Sequence, residues 1–540
     1  MIGRNRLFDR KICKFQFILF ASTAFITLFV SVSLAGQQSE DIRSIIDPSG
    51  YSLRYDIGSA SVTDVWVDPA KGNDQNNGTT RAQALRTVTA AWERISIKRP
   101  LATKGFRLQL VAGTYPAAAV PAYWESRYGT FRCPVIIQSA DGAGTAVLPG
   151  MNIFDCRYLY LIGLKLTAGG GDVLHFERCD HVLVRDGLVV GTGDIMNNQG
   201  PQEALKANQC QYVYIENSDI SGGWDNAVDF VAVQYGHIVA SRVHRAQEWC
   251  LYLKGGSGYF RVEANELFDG GTGGFSAGQG SGLEWMVSPW IHYEAHNIKF
   301  VNNVVHDTTG AGMGVNGGYN ILLAYNTLYR VGSRSHVVEV VQGNRRCDGD
   351  TTGCRARLNE GGWGTTDGEG GQWIPNHNVF IYDNIIYNPP GFRSEWQHFT
   401  IAGPANPPSG SNVPSPSLAD ANLQIRGNFI WNGPRDLPLG VGDGAGCPPS
   451  NSTCNERQIL AENTINNMEP QLVDPAKGDF RPLPAGNVFS VITFDLRDFL
   501  GNDRPQRPLA PQGDLKNVVA HDRDGNARTS KSPPGAYVGR

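Results

Sequence analysis

Charge of either sign is scarce in this sequence, and so are long apolar runs. Charged residues make up 18% of 540 and the net charge is −4. A chain this balanced lacks the basic surface that neutralises phosphates, so no nucleic-acid partner is expected. One apolar run, 17–32, follows Arg4, Arg6, Arg10, Lys11 and Lys14 and precedes Ser33-Leu34-Ala35. That order marks residues 1–35 as a secretory signal. No second run can cross a bilayer, so the expected product is a secreted or periplasmic monomer with no stable membrane insertion. Zinc-type spacing is missing too. Cys347 and Cys354, and again Cys447 and Cys454, stand seven apart in polar insertions without accompanying histidines. In an oxidising compartment each pair reads as a small disulfide loop.

What the chain has in plenty is turn-forming residues, 64 Gly and 30 Pro, around a recurring phrase. A few β-prone residues, an Asn and then one or two aliphatic residues appear around Asn217, Asn265, Asn302-Asn303, Asn326, Asn384 and Asn428, at a period of 22 to 24 residues where no insertion intervenes. Strands this short bury no core alone, so the repeat implies a stacked solenoid. Asn at one turn of every coil satisfies polar groups inside a tight bend. Cys156, Cys179 and Cys210 open three superposable strand phrases and are expected to form a buried column. Residues 36–63 read as an N-terminal arm, 64–465 as the solenoid, and 466–540 as an irregular tail packing on it. A helix over 82–95, with Leu85, Val88, Trp92 and Ile95 on one face, is expected to cap the first coil.

Val67-Asp68-Pro69, Gly72-Asn73-Asp74 and Asn77-Gly78-Thr79, followed by that helix, resemble the opening of secreted right-handed parallel β-helix proteins of the pectate-lyase-like superfamily. Asp474-Pro475-Ala476-Lys477-Gly478-Asp479-Phe480-Arg481 and Pro534-Gly535-Ala536-Tyr537 resemble their close. The resemblance implies an all-β, single-stranded right-handed parallel β-helix. It leaves activity open, because the superfamily holds lyases, hydrolases, epimerases and binders.

Aligned coils place His175, Lys206, Asp229 and Lys254 at about one level, followed by Asn316 and Glu339. Trp224, Asp225, Asp229, Glu248, Trp249, Tyr252 and Lys254 then fall on consecutive coils. These groups suit β-elimination on an anionic, uronate-containing polysaccharide, which needs a base and positive charge against the developing enediolate. Lys254 is the leading candidate base, with Lys206, Arg242 and His244 as alternative bases or charge clamps. Asp225, Asp229 and Glu248 are candidate Ca²⁺ ligands. Lys254-Gly255-Gly256-Ser257 resembles the lysine-bearing coil of calcium-dependent lyases in the superfamily. Trp224, Trp249, Tyr252, Gln279, Glu284, Trp285, His306 and Asn316 are candidate substrate contacts, joined in sequence by Trp290, His292 and His296. Two other readings stay open: a glycoside hydrolase with paired carboxylates, although no compact run of paired Asp is found, and a non-catalytic glycan-binding or structural solenoid.

Overall fold

The computed structural model describes residues 53–287, 293–347, 349–361, 372–442, 444–499 and 515–539. The expected signal, Trp290 and His292 lie outside the described residues. The chain winds through three long parallel sheets of 12, 12 and 10 strands. One coil shows the order: Gln211–Glu216 belongs to the first sheet, Asp219–Gly223 to the second and Val228–Val231 to the third. Each strand pairs in parallel with its equivalent one coil on, as Lys206 with Asp229. This is the right-handed parallel β-helix that the resemblance implies.

Inward side chains build one continuous core. Leu159, Val182, Val213, Phe260, Ile298 and Ile321 stack along the first sheet, all buried. Each such side chain contributes about 1.5–3 kcal/mol on burial. Corners are made by single residues in the left-handed region. Asp155, Arg178, Gln209 and Ala232 have φ between 50° and 56° and turn the third sheet into the first. The expected polar ladder is present as Asn265, Asn303, Asn326, Asn384, Asn428 and Asn463. The backbone N–H and the side-chain amide of Asn303 both donate to Asn326 Oδ1, at 2.9 and 3.1 Å. Asn217 is not a rung. Ser218 and Ser241 fill the column there, Ser218 N–H donating to Ser241 Oγ at 3.1 Å. The cysteine column also forms, with the Cys156 and Cys179 N–H groups pointing at the next sulfur at 3.4 and 3.3 Å.

The capping helix is shorter than its sequence pattern. Only Val88–Trp92 is α-helical, with Thr87 as N-cap accepting from Ala90 N–H at 3.1 Å. Asp74 Oδ1 accepts from the N–H groups of Arg86 and Thr87, and Leu85 pairs with Val67, so 84–87 stays extended. The apolar face survives, for Leu85, Val88, Trp92 and Ile95 are all buried. Cys347–Cys354 and Cys447–Cys454 are disulfides, with Cα–Cα distances of 5.6 and 5.1 Å. Residues of the arm and tail lie on the outer faces. Tyr55 stacks on Tyr214 at 4.1 Å, and Phe499 and Val519 pack on Leu322 and Phe380. No helix among the described residues is long and apolar enough to cross a membrane.

Candidate functional site

The third sheet is where polar side chains face out in register. Its column runs Asn152, His175, Lys206, Asp229, Tyr252, Ser276, Gly314, Glu339 and Thr400. Lys254 is not at the level of Asp229: it pairs with Val231, and Tyr252 stands opposite Asp229. Lys254 is therefore two residues along its strand from Tyr252, and two residues is one full strand period, so it faces the same side. The length difference between these coils is absorbed after Lys254. Gly255 and Gly256 have φ of 66° and 88°, and Gly255 N–H donates to Glu294 Oε2 at 3.0 Å. A side chain at either would be strained.

Two lysines share one buried carboxylate. Asp229 Oδ2 lies 3.4 Å from Lys254 Nζ and 3.7 Å from Lys206 Nζ, while Lys206 Nζ also lies 3.2 Å from Glu203 Oε2. Glu203 and Asp229 are 1% and 2% exposed, so they sit beneath the ammonium groups that meet solvent. Burial, and then the Asp229 charge, push the Glu203 carboxyl up to about 10. Burial works against the Lys206 ammonium, yet Asp229 and Glu203 outweigh it and raise its pKa. Lys206 and Lys254 thus both reach Asp229, and Lys206 also reaches Glu203. Burial lowers the pKa of His175, whose Nδ1 stands 3.6 Å from Asp172.

Several buried polar atoms on this face have no hydrogen-bond partner among the described residues: His175 Nε2, Glu203 Oε1, Asp229 Oδ1 and Tyr252 Oη, with Asn208 Oδ1 and Asn316 Oδ1. Orphaned atoms are costly, and four of them fall on consecutive coils.

Around Tyr252 the face is acidic. Burial raises its pKa far above the ordinary phenol, followed by Glu248, Asp225 and Asp229, so its hydroxyl stays a donor. Lys254 Nζ lies 4.6 Å from its ring centroid. Trp249 is 2% exposed and packs against Gly273, where a Cβ would strike its ring at 2.3 Å. It floors the face and is not itself an open platform. Trp224 is half-buried and Trp285 is 50% exposed. The Leu283–Trp285 turn is tied to the third-sheet corner by Gln209 Nε2 donating to the Trp285 carbonyl at 2.9 Å, which brings Glu284 and Trp285 to the same side. Gln279 holds the small neighbouring sheet, its carbonyl accepting from Asn344 N–H at 2.9 Å.

Arg242, His244 and His306 are not brought to this face. They belong to second-sheet strands and form a separate cluster with Asp219 and Glu266. His296 is fully buried on the first sheet. Glu203 escaped sequence reasoning because its coil carries an insertion around Ile195–Asn197. Its one signal was the i,i+3 spacing to Lys206.

The residues offered for calcium divide. Among the described residues the one trio of His, Cys, Asp or Glu donors within 4.8 Å of one another is Asp420, Cys447 and Cys454, and its cysteines form a disulfide. Asp229 is neutralised by lysines. Asp225 and Glu248 fit a divalent cation better, since partial burial and the neighbouring Asp225 hold the Glu248 carboxyl above its usual range. Asp225 is further oriented by Gln202 and Asn226 amides at 3.2 and 2.8 Å.

Fold and site together define a parallel β-helix protein with a charged face on one sheet. No family model and no curated protein matches the chain. Solved structures it is similar to include the pectate lyase Pel9A, at 13% identity and a TM-score of 0.40 over 90% of this chain and 98% of that one. A GH136 lacto-N-biosidase from Eubacterium ramulus follows at 11% and 0.37, over 75% and 68%. A rhamnogalacturonan lyase stands at 12% and 0.36, over 67% and 87%.

Proposed function

We propose that the chain is an exported carbohydrate-active enzyme that cleaves a uronate-containing polysaccharide by β-elimination on the outer face of the third sheet. The observation that carries this reading is the pair of solvent-reaching lysines above buried carboxylates. Lys206, held protonated, meets the substrate carboxylate and the charge that develops on it. Lys254, acting in its neutral amine form, accepts the proton from the carbon α to that carboxylate. The electrons of the broken C–H bond form the new double bond, and the C4–O4 bond breaks with the leaving oxygen taking a proton from water, to which Lys254 returns the one it removed. Tyr252 is too buried to touch a sugar and lies beneath Lys254, while Trp285, half exposed, supplies an apolar face. Asp225 and Glu248 would hold a Ca²⁺, which would supply further positive charge to the uronate. Disulfide formation supports the exported location.

Hydrolysis is less well supported by the geometry. A glycosidase pair stands about 5–9.5 Å apart, whereas Asp225 and Glu248 are close enough to share a hydrogen bond, and Glu203 and Asp229 are too buried to reach a glycosidic oxygen.

A screen of pectate, alginate and glycosaminoglycans, each with Ca²⁺ and with EDTA, is the test. Unsaturated products that absorb in the ultraviolet are expected. New reducing ends without that chromophore would move the assignment to hydrolysis, and binding without either product would make the chain a glycan-binding solenoid. Loss of activity in EDTA, restored by Ca²⁺ and abolished in Asp225→Asn, is the outcome expected of the calcium pair.

A further inference from the structure

The third sheet does not end in open solvent. Residues 438–442 and 444–446, from a later insertion, turn back onto its last strand, Phe399–Ile401. His398 and Phe399 N–H groups donate to the carbonyls of Pro438 and Leu439 at 3.0 and 2.9 Å, and Gly446 N–H donates to the Ile401 carbonyl at 2.8 Å. Gly440 permits this approach: its φ is 83°, and a Cβ there would sit 2.0 Å from the Phe399 carbonyl oxygen. Between strand and segment lies a cavity of about 530 Å³ whose walls include Gln397, Thr400, Ala402, Leu439, Val441 and Glu456.

This cavity is not the lysine site, but both lie on one column of the third sheet. Thr400 is in register with Glu339, Gly314, Ser276, Tyr252 and Asp229. Those five steps of about 4.8 Å put the cavity about 24 Å along the column from Asp229. A saccharide lying along the face would therefore meet residues 438–442 and 444–446 as an end wall and the cavity as its recess.

We propose that this cavity is a second saccharide subsite, which takes an uncharged sugar unit of the chain whose uronate is bound at Lys206 and Lys254. The proposal rests on the polysaccharide reading above for its occupant. Its selectivity comes from its own walls. Glu456 is the one charged group among the lining residues, and a carboxylate there repels a uronate and accepts from hydroxyls. Leu439 and Val441 give the apolar surface on which a pyranose face packs, while Thr400 and Gln397 supply hydroxyl and amide groups at the strand edge. Its volume lies in the range of sites for ligands of this size.

The test uses neutral tetraoses (cello-, xylo- and galactotetraose) with tetragalacturonate as the charged comparison. Calorimetry on the full chain is expected to show saturable binding of at least one neutral tetraose. Hydrogen exchange on the wild-type protein with that tetraose should then slow at 398–402 and 438–442. Ala402→Trp, which fills the cavity, should weaken that binding at least tenfold at unchanged Tm. The proposal is overturned if no neutral tetraose binds, if protection appears only around Lys254, or if a folded Ala402→Trp binds as tightly as wild type. Absence of uronate cleavage together with loss of neutral binding in Ala402→Trp would sink the lyase reading and leave this subsite standing. The hydrogen-exchange readout needs no variant and decides the matter if Ala402→Trp fails to fold.

Discussion

At Asp229 two lysines share one buried carboxylate, at 3.4 and 3.7 Å. Glu203 is the informative neighbour. Its carboxyl is raised to about 10 when folded, against an ordinary value of about 4.3 when unfolded. The folded state binds the extra proton, so this stabilisation is complete below the unfolded value and is lost as pH rises through the folded one. Glu203→Gln, which is neutral at every pH, is expected to flatten the fall in stability between pH 6 and 9. The slope removed is on the order of 1 kcal/mol per pH unit, read from denaturant melts across that range. For chemistry, Lys254→Met should lower kcat on a uronate polymer by about 10²–10⁴-fold with Tm unchanged. Steady-state kinetics on the polymer found in the screen provide the check, and a variant as active as wild type would remove Lys254 from the reaction. Lysine, aspartate and tyrosine at this face were legible from the coil phrases. Glu203 was not, because an insertion hid its alignment with Asn226.

At the scale of the element, the coil is held by rungs that repeat. Asn326 accepts two hydrogen bonds from Asn303 and gives one to the Phe300 carbonyl at 3.0 Å, all of them buried. Asn326→Ala leaves a buried N–H and a buried carbonyl unpaired and should cost about 2–4 kcal/mol. Asn217, at φ 43° and with its side-chain amide donating to Asp186 Oδ1 at the surface, should tolerate Asn217→Gly within about 0.5 kcal/mol. Chemical denaturation of both variants tests the contrast, and equal losses would show that the ladder carries no special share. Both residues sit in the same repeating phrase, so periodicity alone treats them alike. What separates them is which side of the strand corner the side chain takes. The same limit applied to Lys254. Sequence alignment placed it level with Asp229, whereas the structure absorbs the extra residue at Gly255 and Gly256 and keeps Lys254 one strand period away. It still faces the substrate side because two residues restore the same direction.

On the scale of the whole molecule, stability is a sum of coil-to-coil contacts, and long insertions leave from corners without interrupting it. The two disulfides close loops of only seven residues of separation inside such insertions. Reduction should therefore remove about 2–3 kcal/mol of local constraint at each and leave the solenoid intact. Far-UV circular dichroism in reductant at 25 °C should keep its β signal, while proteolysis within 347–354 and 447–454 quickens. Global unfolding on reduction would contradict this picture.

The sequence by itself determined the solenoid, its coil length, its two disulfide loops and the wealth of lysine and carboxylate on consecutive coils. These are consequences of local periodicity and spacing, which a linear text records. Only the tertiary structure decided which sheet each group joins. It sent Arg242, His244 and His306 to the second sheet, set Glu203 beneath Lys206, and laid residues 438–442 and 444–446 across the end of the third sheet. Those outcomes depend on where insertions are absorbed at the corners. A glycine or a left-handed residue at one corner shifts everything that follows, and no repeat in the sequence reports which corner takes the strain.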